Sequence, residues 1–374
     1  MKFNKKNFNH YCIFISYSII FLVAFLSSLI VKKKHNKIFL IGHRFEGNLE
    51  SFVKLNHLKY DFTYLTFNND IANKNKYAIK YLNISNIIEL LNAKVIISTH
   101  GILFHRLIKL KNIITINIGH GVQTSNVDLS HSELNLFNEV WLCTQLEKNV
   151  LLNDCGYSAN NLKVTGFVKH QEIYYSNLRI NQETNKSENQ QSYWLYAPTA
   201  VSNNNNNRQN LFNVKNPQFL EELNKLSINN ACKTIIKPHY NDVIKNKDTA
   251  EINKLISGFQ NLVFIDEVDI DKNNFLSNLT DVLITDWSSI YLDYLIIDKP
   301  IIFLNSSKRR SKSTISKYLD NDFIDRINSY DDLKELQNKS LNVSNKELKK
   351  FIFGNLEIEK INETCIKRLR SMFE

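Results

Sequence analysis

Short apolar runs, each followed by polar residues, recur along most of the chain and alternate with segments of helical character. This alternation predicts βαβ units and a mostly parallel sheet. The predicted strands are residues 37–41, 62–67, 95–99, 113–118, 140–143, 164–167, 193–195, 234–236, 262–265, 282–285 and 301–304. The predicted helices are residues 86–92, 219–226 with Pro217 at the first helical position, 250–256 and 273–279, and Ser344 with Glu347 forms a capping-box pattern before a C-terminal helical region.

The composition changes over residues 171–192, which are polar and poor in aliphatic side chains. We interpret this segment as a linker between two domains. Residues 37–170 then form an N-terminal Rossmann-like domain, and residues 193–374 form a second such domain with C-terminal helices. The predicted fold class is α/β, with two Rossmann-like domains facing each other across a cleft.

Residues 11–31 carry no charge and are long enough to cross a bilayer. After an N-terminal tail of residues 1–10, this stretch is predicted to be a single-pass transmembrane helix. The predicted location is the cell membrane. Three lysines precede the span and four follow it within residues 32–37, which favours a cytoplasmic C-terminal side, and free cysteines agree with this orientation. A domain that used an activated nucleotide donor would have to face the cytoplasm, where such donors are made. A signal peptide and a buried core helix are the alternatives, although no small-residue cleavage site follows the stretch.

The chain of 374 residues is basic, with 47 Lys and Arg against 37 Asp and Glu and a net charge of +10. Phosphate-rich substrates, anionic lipids and nucleic acid all fit this sign. No pattern of a known nucleic-acid-binding motif is present, so we expect no nucleic-acid partner. Residues 305–317 contain five basic residues and no acid, which suits an anionic polymer or lipid surface or a solvated loop.

The five cysteines are odd in number and none of them forms a CxxC pair. We therefore expect neither a disulfide framework nor a zinc site, and no other metal or cofactor is indicated. Free thiols are typical of a reducing compartment.

Gly119-His120-Gly121 follows the predicted strand 113–118. Glycines allow a sharp turn and a close ligand approach, and an imidazole there suits general-base work on a hydroxyl. The alternative is a histidine bonded to a turn carbonyl. His100 at the neighbouring strand end and the nearby His105 are weaker candidates that line the cleft.

Lys237-Pro238-His239 follows the predicted strand 234–236. In an extended segment, side chains two residues apart point the same way, so Lys237 and His239 would face one target such as a pyrophosphate. A surface pair at a strand exit is the alternative.

Two further strand ends carry hydroxyl side chains. Tyr196-Ala197-Pro198-Thr199 follows the strand 193–195, and Thr285-Asp286-Trp287-Ser288-Ser289 precedes an apolar stretch at residues 290–297. The start of such a stretch offers N–H groups and hydroxyls to a phosphate, although Ser and Asp there are also ordinary helix caps. Because a carboxylate repels a phosphate, Asp286 is expected to contact a hydroxyl or to position a cation.

Taken in order, these segments resemble the CDP-glycerol glycerophosphotransferase family over residues 37–304. The resemblance implies a GT-B fold and transfer of glycerol phosphate from CDP-glycerol to an acceptor hydroxyl on a glycopolymer or lipid-linked acceptor. It also implies residue roles. His120 is the catalytic base, Gly119, Gly121 and His100 are acceptor-side candidates, and Lys237, His239, Thr199, Thr285, Asp286, Ser288 and Ser289 form the donor site.

The chain departs from the family pattern in places. The usual Gly-x-Pro-Arg is here Gly166-Phe167-Val168-Lys169, and Ala200-Val201 replaces an aromatic-Arg pair. The donor is therefore open between CDP-glycerol and another CDP-polyol such as CDP-ribitol. A GT-B transferase that uses a nucleotide sugar and a non-catalytic, membrane-anchored glycopolymer-binding module are the rival functions.

Overall fold

The computed structural model describes the chain in fourteen stretches. These are residues 8–31, 34–42, 45–81, 83–119, 131–158, 160–183, 191–199, 211–238, 249–265, 276–286, 288–305, 324, 326–336 and 345–373.

The first of two sheets in these stretches has seven parallel strands in the order β3-β2-β1-β4-β5-β6-β7. Its strands are β1 Lys34–Ile41, β2 Asp61–Thr66, β3 Ala78–Lys80, β4 Ala93–Ser98, β5 Ile114–Asn117, β6 Glu139–Leu142 and β7 Leu162–Val164. The helices of this half are α1 Phe8–Ser28, α2 Gly47–Asn56, α3 Asn69–Lys74, α4 Ile84–Leu90, α5 His105–Leu110, α6 His131–Leu134, α7 Gln145–Asn153 and α8 Val168–Glu183.

The second sheet has six parallel strands in the order β10-β9-β8-β11-β12-β13. Its strands are β8 Ser192–Tyr196, β9 Cys232–Ile236, β10 Leu262–Phe264, β11 Val282–Thr285, β12 Ile301–Leu304 and β13 Arg326–Ile327. The helices are α9 Pro217–Asn229, α10 Thr249–Ile256, α11 Leu276–Leu279, α12 Tyr291–Ile296, α13 Tyr330–Glu335, α14 Lys346–Phe353 and α15 Ile361–Ser371, with a 3₁₀ turn at Ile358–Lys360.

Both sheets have the doubly wound strand order of a Rossmann-like fold. The order reverses between β1 and β4 in the first sheet and between β8 and β11 in the second. Ligands of open parallel sheets bind outside the carboxyl ends of the strands at such a switch point. The topology therefore directs attention to the residues that follow β4, β8 and β11.

All eleven predicted strands are present, because each has apolar side chains that the sheet buries. Two of them, β11 and β12, have the predicted bounds, and the others differ at one or both ends by one to three residues. The predicted strand 164–167 ends at Val164, since Gly166 takes a φ of +79° and helix α8 begins at Val168. The predicted helix cap Ser344 lies outside the described residues. Ser329 and Asp332 form a capping box at the start of α13.

The segment predicted as a polar linker, residues 171–192, is helical as far as Glu183. Its polarity has a structural cause, because its polar side chains make tertiary contacts. The Gln171 amide donates to the carbonyl of Glu359 at 2.5 Å and accepts from the N–H of Asn362 at 2.6 Å. Ile173 of the same helix is fully buried.

The C-terminal helix α15 returns to the first half of the chain. Arg368 on α15 makes a two-point ion pair with Glu139 at the start of β6, and Asn362 bonds to Asn56 at the end of α2. A Cβ added at Gly166 would lie 2.7 Å from Ile361, so this approach needs glycine. One continuous apolar cluster also includes Ile38 of β1 and Leu283 of β11, so the two sheets share a core.

Helix α1 packs along one side against the first half. Phe21 and Ala24 are fully buried, and the Phe21 ring centroid lies 4.5 Å from that of Phe104. Within the described residues, no helix combines the length and apolarity needed to cross a membrane. The structure therefore does not support the transmembrane span predicted at residues 11–31, because part of this helix is a packed element of the fold.

Candidate functional site

The switch point of the second sheet is closed by hydrogen bonds between the ends of β8 and β11. The Thr199 N–H and hydroxyl both donate to Asp286 Oδ1 at 2.7 Å. The Thr285 hydroxyl donates to the carbonyl of Ala197 at 2.6 Å. Asp286 is 8% exposed and Thr285 is fully buried. We refer to the contacts between Thr199 and Asp286 as the clamp.

The clamp explains why a carboxylate, that of Asp286, occurs in a segment predicted to bind phosphate. The Asp286 carboxylate accepts two hydrogen bonds from Thr199, at the neighbouring strand end. The hydroxyl hydrogens of Thr199 and Thr285 point to protein acceptors in this arrangement. The three residues thus fix the relative position of the ends of β8 and β11, the edge predicted to face the donor.

Other predicted donor-side residues lie around the same edge. Lys237 directly follows β9, is half-buried, and donates its N–H to the carbonyl of Tyr196 at 2.9 Å. Ser288 and Ser289 are half-buried, and their carbonyls accept from Tyr291 and Leu292 in the turn that opens α12. His239 lies outside the described residues.

At the carboxyl edge of the first sheet, β4 and β5 end in a polar network. Asn117 accepts from the N–H of Gly119 at 3.0 Å and donates to the carbonyl of His100 at 3.2 Å. Ser98 also donates to that carbonyl at 2.7 Å, and Thr99 bonds to the His100 ring at 2.8 Å. Gly119 has a φ of +61°, which favours glycine. The structure brings Gly119 and His100 together, whereas His120 and Gly121 lie outside the described residues.

His105 is a core residue. It is 5% exposed, its Nε2 lies 3.0 Å from the Thr115 hydroxyl, and its ring packs edge-on against Phe137. Burial, with a smaller contribution from Lys109, lowers the pKa of His105 to about 4. His105 therefore packs in the core against β5. It does not line the cleft, in contrast to the prediction.

Arg326 was missed by the sequence analysis, because β13 is too short to show a pattern. Its guanidinium donates to the carbonyls of Asp286 at 3.3 Å and Leu304 at 3.1 Å. The same group lies over the Phe303 ring, 5.6 Å from the centroid. A permanent cation therefore stands beside the clamp.

Lys169 and His170, at the start of α8, meet Asp293 of α12. Lys169 Nζ lies 2.9 Å and His170 Nε2 3.2 Å from Asp293 Oδ1. Burial raises the pKa of Asp293, but the charge of Lys169 and the contact with His170 outweigh it and hold the pKa below its usual value. His170 Nδ1 lies 3.5 Å from Cys143 Sγ, directly after β6. The carboxyl edge of the first sheet is thereby connected to the helix that follows β11.

Two parallel sheets with Rossmann-like strand orders and polar strand ends at their switch points define an α/β protein with a nucleotide-type site. The sequence profile of CDP-Glycerol:Poly(glycerophosphate) glycerophosphotransferase matches residues 24–353. The chain belongs to this family and is a transferase of the CDP-glycerol glycerophosphotransferase type.

Solved structures share the fold. The wall teichoic acid polymerase TagF aligns with a TM-score of 0.71 and 14% identity over 98% of both chains. A histidine variant of TagF soaked with CDPG aligns with a TM-score of 0.69 and 13% identity, again over 98% of both chains. The UDP-GlcNAc 2-epimerase of Neisseria meningitidis, bound to UDP-GlcNAc, aligns with a TM-score of 0.53 and 14% identity over 90% of this chain and all of its own. Curated protein sequences gave no match.

Proposed function

We propose that the protein transfers glycerol phosphate, or a related polyol phosphate, from a CDP-activated donor to an acceptor hydroxyl on a cell-surface or capsular glycopolymer. The observation that carries this proposal is the family match over residues 24–353, which includes both sheets' switch points. The TagF structures support a teichoic-acid-type acceptor.

In the proposed mechanism, the acceptor hydroxyl attacks the β-phosphorus of the donor in line with the leaving group. A new P–O bond forms, the bond to CMP breaks, and His120 takes the hydroxyl proton. Lys237 and His239 stabilise the charge on the pyrophosphate and on the departing CMP. Ser288 and Ser289 are the hydroxyls available to the donor, and the clamp holds the edge on which they stand.

A donor screen with purified protein tests the reaction. We expect CMP release from CDP-glycerol or CDP-ribitol in the presence of a polyol-phosphate acceptor. A nucleotide-sugar transferase is the second candidate, because an epimerase that binds UDP-GlcNAc shares the fold. Release of UDP or CMP from sugar donors alone would contradict the proposal and favour the nucleotide-sugar transferase. Binding of glycopolymer without any turnover would favour a binding module.

We also propose that the protein works at the cytoplasmic face of the cell membrane, where CDP-activated donors are made. One side of α1 is packed on the fold, but the other side and the turn that follows the helix at residues 29–31 present exposed apolar side chains. These are Ile15, Ile19, Leu22, Val23, Leu26, Leu29, Ile30 and Val31. Such a face suits insertion into the headgroup boundary of a lipid surface.

The double variant L22D/L26D is expected to bind vesicles containing anionic phosphatidylglycerol at least ~10-fold more weakly, since each buried leucine contributes about 1.5–3 kcal/mol. Co-sedimentation with the vesicles measures the effect. L58D/I228D is the matched control, because Leu58 and Ile228 are exposed but lie on other elements. Equal binding by all three proteins would remove α1 from the proposed membrane contact.

A further inference from the structure

Two charged side chains are buried together where the halves of the chain meet. Lys169 and Asp293, 2.9 Å apart, have side chains that are only 13% and 8% exposed. Lys169 lies in the first turn of α8, which follows the last strand of the first sheet, and Asp293 lies in α12, which follows β11 of the second. The ion pair therefore joins α8, which follows the first sheet, to α12 of the second half.

His170 extends this contact to a second strand end. It is fully buried, between the rings of Phe167 and Phe353. Burial is the largest influence on its pKa and lowers it, and burial also raises the pKa of the Cys143 thiol. With a neutral imidazole and a protonated thiol, Cys143 can donate to Nδ1, 3.5 Å away, and Nε2 lies 3.2 Å from Asp293 Oδ1. A chain of polar contacts thus runs from β6 to α12.

The placement of these charges favours a role in geometry over one in stability. Taking two ions out of water costs free energy, and packed apolar side chains of the same volume often stabilise a fold as well or better. A buried ion pair also constrains the relative position of its partners, because separating the two buried charges leaves each without compensation. Here the partners are helices α8 and α12, one from each half of the chain.

The position of α12 bears directly on the donor side. Asp293 lies seven residues after Asp286, and the turn of Ser288 and Ser289 leads into α12 through hydrogen bonds to Tyr291 and Leu292. A shift of α12 would therefore move the donor-side hydroxyls relative to the first sheet.

We infer that Lys169 and Asp293 are a positioning pair that sets the donor-side residues 285–289 against the carboxyl edge of the first sheet. This role rests on the proposed function, since it assigns those residues to the donor. Neither member of the pair contacts the donor in this assignment.

The test compares variants of the pair with a control at a second ion pair just after α12. D293N removes the buried charge with little change in volume, K169M removes its partner while keeping an unbranched stem, and K169R keeps the charge. D298N is the matched control, because Asp298 follows α12 and pairs with Lys349 in a more exposed ion pair, at 2.9 Å.

For protein that is folded at the assay temperature, kcat/KM for the CDP donor is expected to fall at least ~10-fold in D293N and K169M, since misplacement by about 1 Å costs up to ~10²-fold. K169R is expected to recover most of the activity, and D298N to match the wild type. A folded D293N with wild-type kcat and KM would overturn the inference.

The pH profile of K169M separates positioning from packing. The charged and titratable groups against His170 are Asp293, Lys169 and Cys143. Without Lys169, which lowers its pKa, His170 can take a proton and pair with Asp293. The loss in K169M is therefore expected to be smaller near pH 6 than near pH 8. An equal loss at both pH values would assign the defect to packing and contradict the inference.

Hydrogen exchange keeps this test separate from that of the proposed function. Faster exchange is expected in D293N at the amides of both α12 and the first turn of α8, and in D298N at most near residue 298. If the wild type released CMP from no CDP-polyol, the proposed function would fail. The hydrogen-exchange measurement would still test whether the ion pair holds the two halves together, because it does not depend on activity. Unchanged exchange in D293N would overturn the pair.

Discussion

Replacement of His120 with Ala is expected to lower turnover of the CDP donor by at least ~10²–10⁴-fold, the usual contribution of a general base. The residue directly follows Gly119, whose N–H and φ of +61° are fixed by the bond to Asn117. This loop leaves β5, next to the switch point between β1 and β4. Asn117 therefore holds the backbone at the residue before the proposed base, and catalytic groups need such fixed supports.

The variant separates catalysis from binding. Because the base acts on the acceptor hydroxyl, calorimetry should show that H120A still binds CDP with an affinity close to that of the wild type. H57Q is the control, since His57 is exposed and bonds only to a carbonyl of its own helix, at Lys54. Steady-state CMP release measures turnover in all three proteins. Full turnover in H120A would remove His120 from the mechanism.

The strands could be predicted from the sequence because burial in a parallel sheet imposes apolar runs of the right length. β11 and β12 were predicted with the residues that the structure shows. Strand β13 has only two residues, and β3, Ala78–Lys80, has two apolar residues followed by a lysine, so neither shows an apolar run. Arg326 was missed for this reason.

The candidate site could be predicted only as a set of strand ends. The clamp joins residues 87 positions apart, so no local sequence pattern indicates that Thr199 and Asp286 are hydrogen-bond partners. Helix α8 extends to Glu183, into the segment interpreted as a linker. Gln171 in this segment makes tertiary contacts, and the sequence alone does not distinguish such a polar side chain from one in a solvated linker. The exposed apolar face of α1 resembled a membrane span because its packed face is apolar as well.

Replacement of Asp286 with Ala is expected to produce the second large loss, with kcat/KM for the CDP donor reduced by about 10²-fold. The substitution removes the acceptor of two hydrogen bonds, and each bond to a charged group contributes about 1.5–3 kcal/mol. Thr199, three residues after β8, then loses its bonds to the end of β11, while the bond between Thr285 and Ala197 remains. A displacement of about 1 Å in a substrate-positioning segment is enough to cost ~10²-fold.

A graded series shows whether the clamp acts through geometry. T199V removes the hydroxyl and keeps the backbone N–H, so it breaks one of the two bonds and should lose less activity than D286A. T199S keeps both donors and should behave as the wild type. Since Asp286 Oδ1 accepts both bonds from Thr199, the defect should follow the number of bonds broken: T199S, T199V, D286A. If D286A lost activity while T199V matched the wild type, Asp286 would act on the donor directly, and the clamp would not be what positions it.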